Sequence, residues 1–472
     1  MASISSAGIG SGLDVESIIT KLMSIEKAPV VQLQTQASAI QTKISAFGSL
    51  QSAVSTFRDA AQALTKSDTW GATTATSADA ASVSAVGSSS ALAGSYAVKV
   101  QSLAAAQSVA STAYASSSAV VGAGDMTIEV GAWDLTEPGF AARATINALS
   151  IPISSTDTLA DVRDKINAAG GAVRASIVTD SSGARLVLSS STTGASNGFR
   201  VTGTGGAAAF TYDATDGSSP MTRTQTASDA KAFVNGLEIN SATNNLSDVI
   251  QGLTLNLNKV TTDTVQINVA QDNTAMKTSV QNFVNAYNSL ASTLATQTKY
   301  DDATKTAGTL QGDSTAVALQ RQLRSLVAAP SGASSVFSSL SQVGVELQAD
   351  GTLKVSDTKL TSALSSNLAE VKKLFANTSL TDDTSTNGVA QRLRSFGDTV
   401  LGTDGMLTTR KAGLSSNLTR NKDQQDAYTT RLESTEKRIR AQYTALDTKV
   451  ASLTALNTYI TQQITNWNKS KD

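Results

Sequence analysis

The chain has 472 residues, enough for roughly three domains at ~150 residues each, and its 37 lysines and arginines against 38 aspartates and glutamates leave a net charge of −1, so no overall field favours nucleic acid or an acidic membrane. Histidine and cysteine are both absent, which excludes disulfides, Cys/His metal sites, Ser-His-Asp triads and Cys-His dyads together. Aromatic residues make up 4% and charged residues 16% while 40% is hydrophobic, so the cores must be aliphatic and rich in small side chains, the texture of a secreted or assembling structural protein.

The N-terminus has no basic segment followed by an unbroken apolar run, so it does not read as a Sec-type signal peptide, and no run approaches the ~18 apolar residues of a spanning helix. Export would use a route without a cleaved signal, and no membrane insertion is expected. Val15, Ile18, Ile19 and Leu22 form one helical stripe, with Ser11 or Asp14 as its N-cap, and Pro29 is expected to interrupt it. Beyond it Leu33, Ala37, Ile40, Ile44 and Phe47, then Leu50, Val54, Phe57, Ala61 and Leu64, step alternately by 4 and 3. This is a heptad seam with one phase slip at Gly48.

From residue 71 to about 272 the chain is rich in Ser, Thr, Gly and Ala and carries short alternating stretches: Tyr96, Val98 and Val100; Met126, Ile128 and Val130; Leu186 and Leu188; Val265, Ile267 and Val269. Alternation punctuated by Gly, Asn and Asp predicts strands and turns, broken by one helix through Leu159, Val162 and Ile166. Helical spacing returns at Met276, Val280, Phe283, Tyr287, Leu290 and Leu294, and again at Val317, Leu323 and Leu326 before Pro330. Residues 343–355 predict a β-hairpin turning at Asp350 and Gly351, followed by a helix through Leu364, Leu368, Val371 and Leu374. From about 388 helix dominates. Leu432, Ile439, Leu446, Leu453, Ile460 and Trp467 recur every seven residues, and the second seam position, holding Glu436, Tyr443, Val450, Asn457 and Ile464, is half polar.

The fold expected is therefore α+β and multidomain, with terminal coiled-coil helices and a helical domain bracketing two β-rich inserted domains. Because isolated helices are marginal in water, the two ends must meet to bury their seams. The expected division is 1–40 plus 432–472 as a terminal coiled coil, flexible in the monomer; 41–70 plus 273–431 as a helical leg with a hairpin; 71–123 plus 226–272 as a β-rich domain; and 124–225 as a variable α+β insert. Gly8, Gly10 and Gly12 do not make a phosphate loop, since position 13 is Leu and no Gly-Lys-Ser/Thr follows; they suit a flexible strap with Leu13 as its first anchor. The paired acids Asp301 and Asp302, and Asp382 and Asp383, lie in Thr-rich loops without the spacing of a calcium loop. Residues 408–472 carry eleven basic against six acidic side chains, but the aromatics there are seam residues rather than stacking partners for bases, so no nucleic acid is expected. The residues expected to bind partner subunits are Leu13, Val15, Ile18, Leu22, Leu432, Ile439, Leu446, Val450, Leu453, Asn457, Ile460 and Ile464. No catalytic residue, metal site or cofactor is expected.

Several stretches together resemble the flagellar filament cap family, also called flagellar hook-associated protein 2: Gly8 to Asp14 continuing through Ile18, Leu22, Met23, Glu26 and Pro29; Val234, Asn235 and Gly236; Asn244 through Leu255; Phe283 through Leu290; Leu310 to Asp313; and the helix from Arg431 to Asp447. Leu159, Ile166, Asn167 and Ala175 to Ile177 are similar to the short "IN" motif of flagellin inserts. Tyr443 stands where the family more often has Phe, and 110–225 matches least well. The resemblance implies a secreted, non-enzymatic cap at the distal tip of the flagellum, a ring homo-oligomer under which exported flagellin folds and polymerises instead of being lost to the medium. It further implies type III export, an export chaperone on the C-terminal helix, and contact with flagellin and the hook–filament junction protein. A junction protein or a surface adhesin are the alternatives.

Overall fold

The computed structural model describes residues 14–134, 139–379 and 384–469. The chain divides into two compact units, one formed by residues 1–66 and 277–472 and the other by 67–276. Among the described residues the helices are α1 (Val15–Glu26), α2 (Ala28–Thr65), α3 (Ser67–Trp70), α4 (Leu159–Ala168), α5 (Asn273–Thr298), α6 (Ser314–Ala328), α7 (Asp357–Ala376), α8 (Val389–Leu401) and α9 (Met406–Lys469).

The first unit is a helical bundle that thins into a long helix pair. Phe47, Leu50, Val54, Phe57, Ala61 and Leu64 of α2 are buried, as are Val280, Phe283, Tyr287, Leu290 and Leu294 of α5. Phe57 meets Phe283 at 5.7 Å and Tyr287 edge-on at 6.0 Å, so three aromatic rings meet where α2 packs on α5 and their geometry adds to area burial. Pro29 does not end the helical run. Its missing N–H falls in the first turn of α2, where that donor has no intrahelical acceptor anyway, and the break is confined to Lys27, whose N–H donates to the Met23 carbonyl at 3.0 Å. On α6 the buried face is Ala316, Leu319, Leu323 and Val327, one residue out of phase with the expected Val317 and Leu326. Asp313 accepts hydrogen bonds from the Thr315 and Ala316 N–H groups and so caps α6. Its second oxygen accepts from Arg410 of α9 at 2.8 and 3.1 Å. The hairpin pairs Val345–Leu347 with Leu353–Val355 and turns at Gly351, whose φ is 86°. A side chain there would strike the Arg324 guanidinium.

The second unit holds two separate hydrophobic cores. One lies on a five-stranded antiparallel sheet, in order Thr73–Ser77, Val265–Gln271, Gly94–Ser102, Ala230–Val234 and Leu237–Ser241, together with a three-stranded sheet of Asn245–Ile250, Leu253–Leu257 and Val83–Gly87. The other is built from Gly124–Asp134, Gly139–Ala142, Leu149–Ile153 and Gly198–Gly203, with Thr222–Gln225, Ser108–Ala110, Gly183–Ser190 and Val173–Asp180, covered by α4. The alternating residues expected to face inward do so: Val98, Val100, Met126, Ile128, Leu186, Leu188 and Ile267 are buried.

Several residues of the resembling stretches have direct structural work. Asn235 (φ 49°) and Gly236 (φ 84°) make the two-residue turn between Ala230–Val234 and Leu237–Ser241, where both central positions need positive φ. Asn167 donates to the Ala175 carbonyl at 2.8 Å and accepts from its N–H at 2.9 Å, clamping α4 to the strand that follows. Asn244 holds Ala104 in the same two-bond way, and Asn288 holds Leu353. In each case one side-chain amide replaces a missing strand neighbour by pairing both backbone groups of one residue.

Candidate assembly surface at the chain ends

α1 begins at Asp14, whose side chain accepts from the Ser17 N–H at 2.9 Å; of the two expected caps the described one is Asp14. The inner face of α1 is Val15, Ile19 and Met23, a strict i, i+4 stripe, buried against Leu432 with Val30, Ile439 and Tyr443 around it. Ile18 is half-buried and Leu22 is 39% exposed, so they form a rim rather than the seam. Glu16 accepts from both terminal nitrogens of Arg440 at 2.7 and 2.9 Å, and Arg440 also reaches Glu436 at 3.3 Å. The hydrogen bond from Arg440 lowers the Glu16 pKa below its ordinary value, and the two carboxylates raise that of Arg440. The pairing order is antiparallel: Glu16 meets Arg440, and further along Gln51 of α2 accepts from Lys411 of α9. A groove of about 350 Å³ lies between the α1–α2 junction and α9, lined among others by Met23, Val30, Val31 and Leu432.

Cover from the N-terminal helices stops near Tyr443. α9 continues to Lys469, about 39 Å further at 1.5 Å per residue. On that extension Leu446, Leu453, Ile460 and Ile464 are exposed, Leu453 by 63%; Val450 is half-buried and Asn457 exposed. The expected subunit-binding residues thus fall into two groups. Val15, Leu432 and Ile439 pack against each other within the chain, and the seven-residue series from Leu446 onward is open. Leu13 and the glycines at 8, 10 and 12 lie outside the described residues, as do Asp382 and Asp383. Asp301 is exposed at the end of a short strand that pairs with Thr306–Ala307, and its carboxylate accepts from the Ala303 and Thr304 N–H groups of the turn that follows, which lowers its pKa. Met23 and the Glu16–Arg440 pair were not expected as parts of the site. The i, i+4, i+8 spacing of Val15, Ile19 and Met23 was the available signal for the first; nothing local marks the second, whose partners are 424 residues apart. Among the described residues no group of three or more His, Cys, Asp or Glu side chains is placed to hold a metal, and no helix is long and apolar enough to cross a membrane.

Helical chain ends paired antiparallel, a helical bundle behind them and two β-rich cores inserted between define a multidomain α+β protein with terminal coiled-coil helices. Models of the flagellar hook-associated protein 2 N-terminus and C-terminus match residues 11–107 and 227–455, and the flagellin hook IN motif matches 142–192. The flagellar hook-associated protein 2 of Escherichia coli K12 is 33% identical over 100% of both chains, and that of Salmonella typhimurium LT2 is 32% identical over 100% of both. The crystal structure of the flagellar cap protein FliD D1-D2-D3 domains from Escherichia coli superposes with a TM-score of 0.65 at 32% identity, covering 78% of this chain and 99% of that one. The chain belongs to the flagellar hook-associated protein 2 family, a structural family of the bacterial flagellum.

Proposed function

We propose that the protein is the cap at the distal tip of the flagellar filament, a ring of several copies that promotes folding and polymerisation of exported flagellin and prevents its loss to the medium. The observation that carries this is full-length similarity to the cap relatives joined to an open seven-residue apolar series on α9. A helix that exposes Leu446, Leu453 and Ile460 at heptad spacing has a seam to complete, and neighbouring subunits supply the missing half. In this reading Leu13, Val15, Ile18 and Leu22 and the face from Leu432 through Ile464 form the assembly surface, the β-rich parts form the plate, and the bundle forms the legs. The division at 40/41 and 431/432 places the terminal coiled coil within the continuous helices α2 and α9. The protein acts without catalysis, leaves the cell through the flagellar export route without a cleaved signal peptide, and meets flagellin and the hook–filament junction protein at its destination. Before export a chaperone covers the C-terminal helix.

The test is a strain lacking this protein. Unpolymerised flagellin in the medium, with filaments restored by the full chain but not by a chain ending at residue 443, is the expected result. Normal filaments in the deletion strain would overturn the reading.

A further inference from the structure

Three Asn-Gly pairs occur in the sequence: Asn197–Gly198, Asn235–Gly236 and Asn387–Gly388. Asparagine is thermolabile, and most so before glycine, because a residue without Cβ leaves its backbone nitrogen free to approach the preceding side-chain amide. In an unfolded chain the three pairs react alike; the fold separates them. Nδ2 of Asn197 donates to the Thr193 carbonyl at 2.6 Å, its Oδ1 accepts from Arg143 at 2.8 Å, and its carbonyl accepts from the Ser190 hydroxyl at 2.6 Å. Gly198 is buried, and a Cβ there would lie 2.9 Å from the Trp133 ring. At the third pair the nitrogen that would attack is itself engaged, since the Gly388 N–H donates to the Asn377 carbonyl at 2.8 Å. Oδ1 of Asn387 accepts from the Ser379 N–H at 2.6 Å, and a Cβ on the buried Gly388 would strike the Phe375 carbonyl oxygen.

Asn235 and Gly236 are both exposed, and a Cβ on Gly236 would meet nothing within 4 Å. Among the described residues the Gly236 N–H has no backbone acceptor, because the turn closes one residue later, where Leu237 faces Val234. Nδ2 of Asn235 makes no hydrogen bond to a described residue either. The other end of the same amide is held: Oδ1 accepts from the Ala97 N–H at 2.8 Å, and the Asn235 N–H donates to the Ala97 carbonyl at 2.8 Å. The amide carbon is thus fixed, with a donor on the oxygen where negative charge develops under attack. The leaving nitrogen and the attacking nitrogen are free. A donor on Oδ1 is common to all three pairs; the open glycine and the unengaged Nδ2 are found together at Asn235 alone.

We propose that Asn235–Gly236 is a self-modification site, at which the folded chain deamidates. The Gly236 nitrogen gives up its proton and bonds to Cγ of Asn235, the Cγ–Nδ2 bond breaks, and Nδ2 leaves with that proton as ammonia. Water then opens the cyclic imide, either to aspartate or to isoaspartate, in which the main chain runs through Cγ. Water is the co-reactant, and nothing is oxidised or reduced. The consequence falls on a sheet edge. Leu237–Ser241 is the outermost strand of the five-stranded sheet, held by Ala230–Val234 and by the Lys231–Glu238 ion pair at 2.9 Å. An isoaspartate lengthens the backbone of a two-residue turn, so Val234 and Leu237 no longer meet in register, and a negative charge is added beside them.

The test incubates the full chain in mildly alkaline buffer, folded and in guanidinium chloride, and follows the mass gain of amide-to-acid conversion in the three Asn-Gly peptides over days. At Asn197 and Asn387 at least two further hydrogen bonds must open before attack, each slowing it by about fivefold, so the folded chain is expected to convert at Asn235 at least about tenfold faster than at either. In guanidinium chloride the three rates are expected to converge. Protein converted at Asn235 is expected to exchange the Leu237–Ser241 amides at least about tenfold faster than fresh protein. Asn235→Asp carries the charge without the rerouted backbone and is expected to keep those amides protected. Comparable rates at the three pairs in the folded chain, or conversion at Asn235 in guanidinium chloride alone, would overturn the site. A preference for Asn235 that persists unchanged in guanidinium chloride would overturn its origin in the fold. Unaltered exchange of Leu237–Ser241 after conversion, or equal loss of protection in Asn235→Asp, would overturn the effect on the sheet edge.

Discussion

The pairing of Asp313 with Arg410 joins the start of α6 to α9, and its removal should be felt across the bundle. The Asp313 side chain is 4% exposed and that of Arg410 is 40% exposed. Asp313→Ala removes an N-cap, worth about 1 kcal/mol, and two charge-assisted bonds whose net value is about 1.5–3 kcal/mol; Arg410 is exposed enough to recover water. A total cost of about 3 kcal/mol is expected. Asp313→Asn keeps the cap, since asparagine caps as well as aspartate, and should cost about half as much. Arg410→Ala is the harsher change, because it leaves a buried carboxylate with only its helix-cap partners, and breaking a buried pair from one side costs about 3–5 kcal/mol. Urea titration of the full chain followed by helical circular dichroism reads all three. Because the residues are in contact, the double variant Asp313→Ala/Arg410→Ala should fall short of the sum of the single costs by about 1–3 kcal/mol. Single costs below about 0.5 kcal/mol, or strict additivity in the double variant, would refute the reasoning.

Other outcomes follow from the same contacts. Glu16 has a lowered pKa in the folded chain, so its contribution to α1 docking is complete above the ordinary value of 4.5 and is lost as pH falls through the lower folded value; hydrogen exchange of the α1 amides should quicken in that acid window, and Glu16→Gln should remove the dependence. Glu370, held at about 2 by Lys373, Ser334 and the Ser335 N–H, should tether the loop at 334–335 from neutral pH down through the interval between 4.5 and about 2, with Glu370→Gln releasing it at every pH, as read by amide exchange of Ser335. Asn288→Ala should cost about 2 kcal/mol by leaving both backbone groups of Leu353 without their partner, and Asn288→Asp should cost no less, because its carboxylate cannot donate to the Leu353 carbonyl; urea titration checks both. Met23→Ala should loosen α1 on α9, whereas Leu453→Ser, at a site 63% exposed, should leave the melting temperature within a degree or so while weakening self-association measured by sedimentation.

How much of this was legible in the sequence depends on the range of the interaction. The seven-residue series from Leu432 to Trp467 and the inward residues of the strands are local periodicities, and helix and strand geometry translate them directly into faces. α1 was legible as a helix, but its face turned out to be Val15, Ile19 and Met23, with Ile18 and Leu22 at the rim, because the antiparallel partner decides which of two adjacent stripes is covered. Pro29 was expected to interrupt; its place in a first turn is what makes it harmless. Asn167, Asn244 and Asn288 could be singled out as parts of family-like stretches, but their role as clamps exists only once a strand is beside them. The sheet order was not legible. Gly94–Ser102 pairs with Ala230–Val234 across the whole insert, and no local pattern encodes a partner that far along the chain. Nor was the Asp313–Arg410 pair, whose members are 97 residues apart.

Amide hydrogen exchange on α9 puts the account at greatest risk, with the full chain measured alone at low concentration and again bound to filament ends. Backbone amides from 446 to 464 should exchange rapidly in the free chain and slow markedly when bound, while those around Leu407 and Leu414 stay protected in both states. Equal protection of 446–464 in the two states, whether high or low, would mean that the exposed series is not completed by neighbours, and the proposed assembly surface would be wrong.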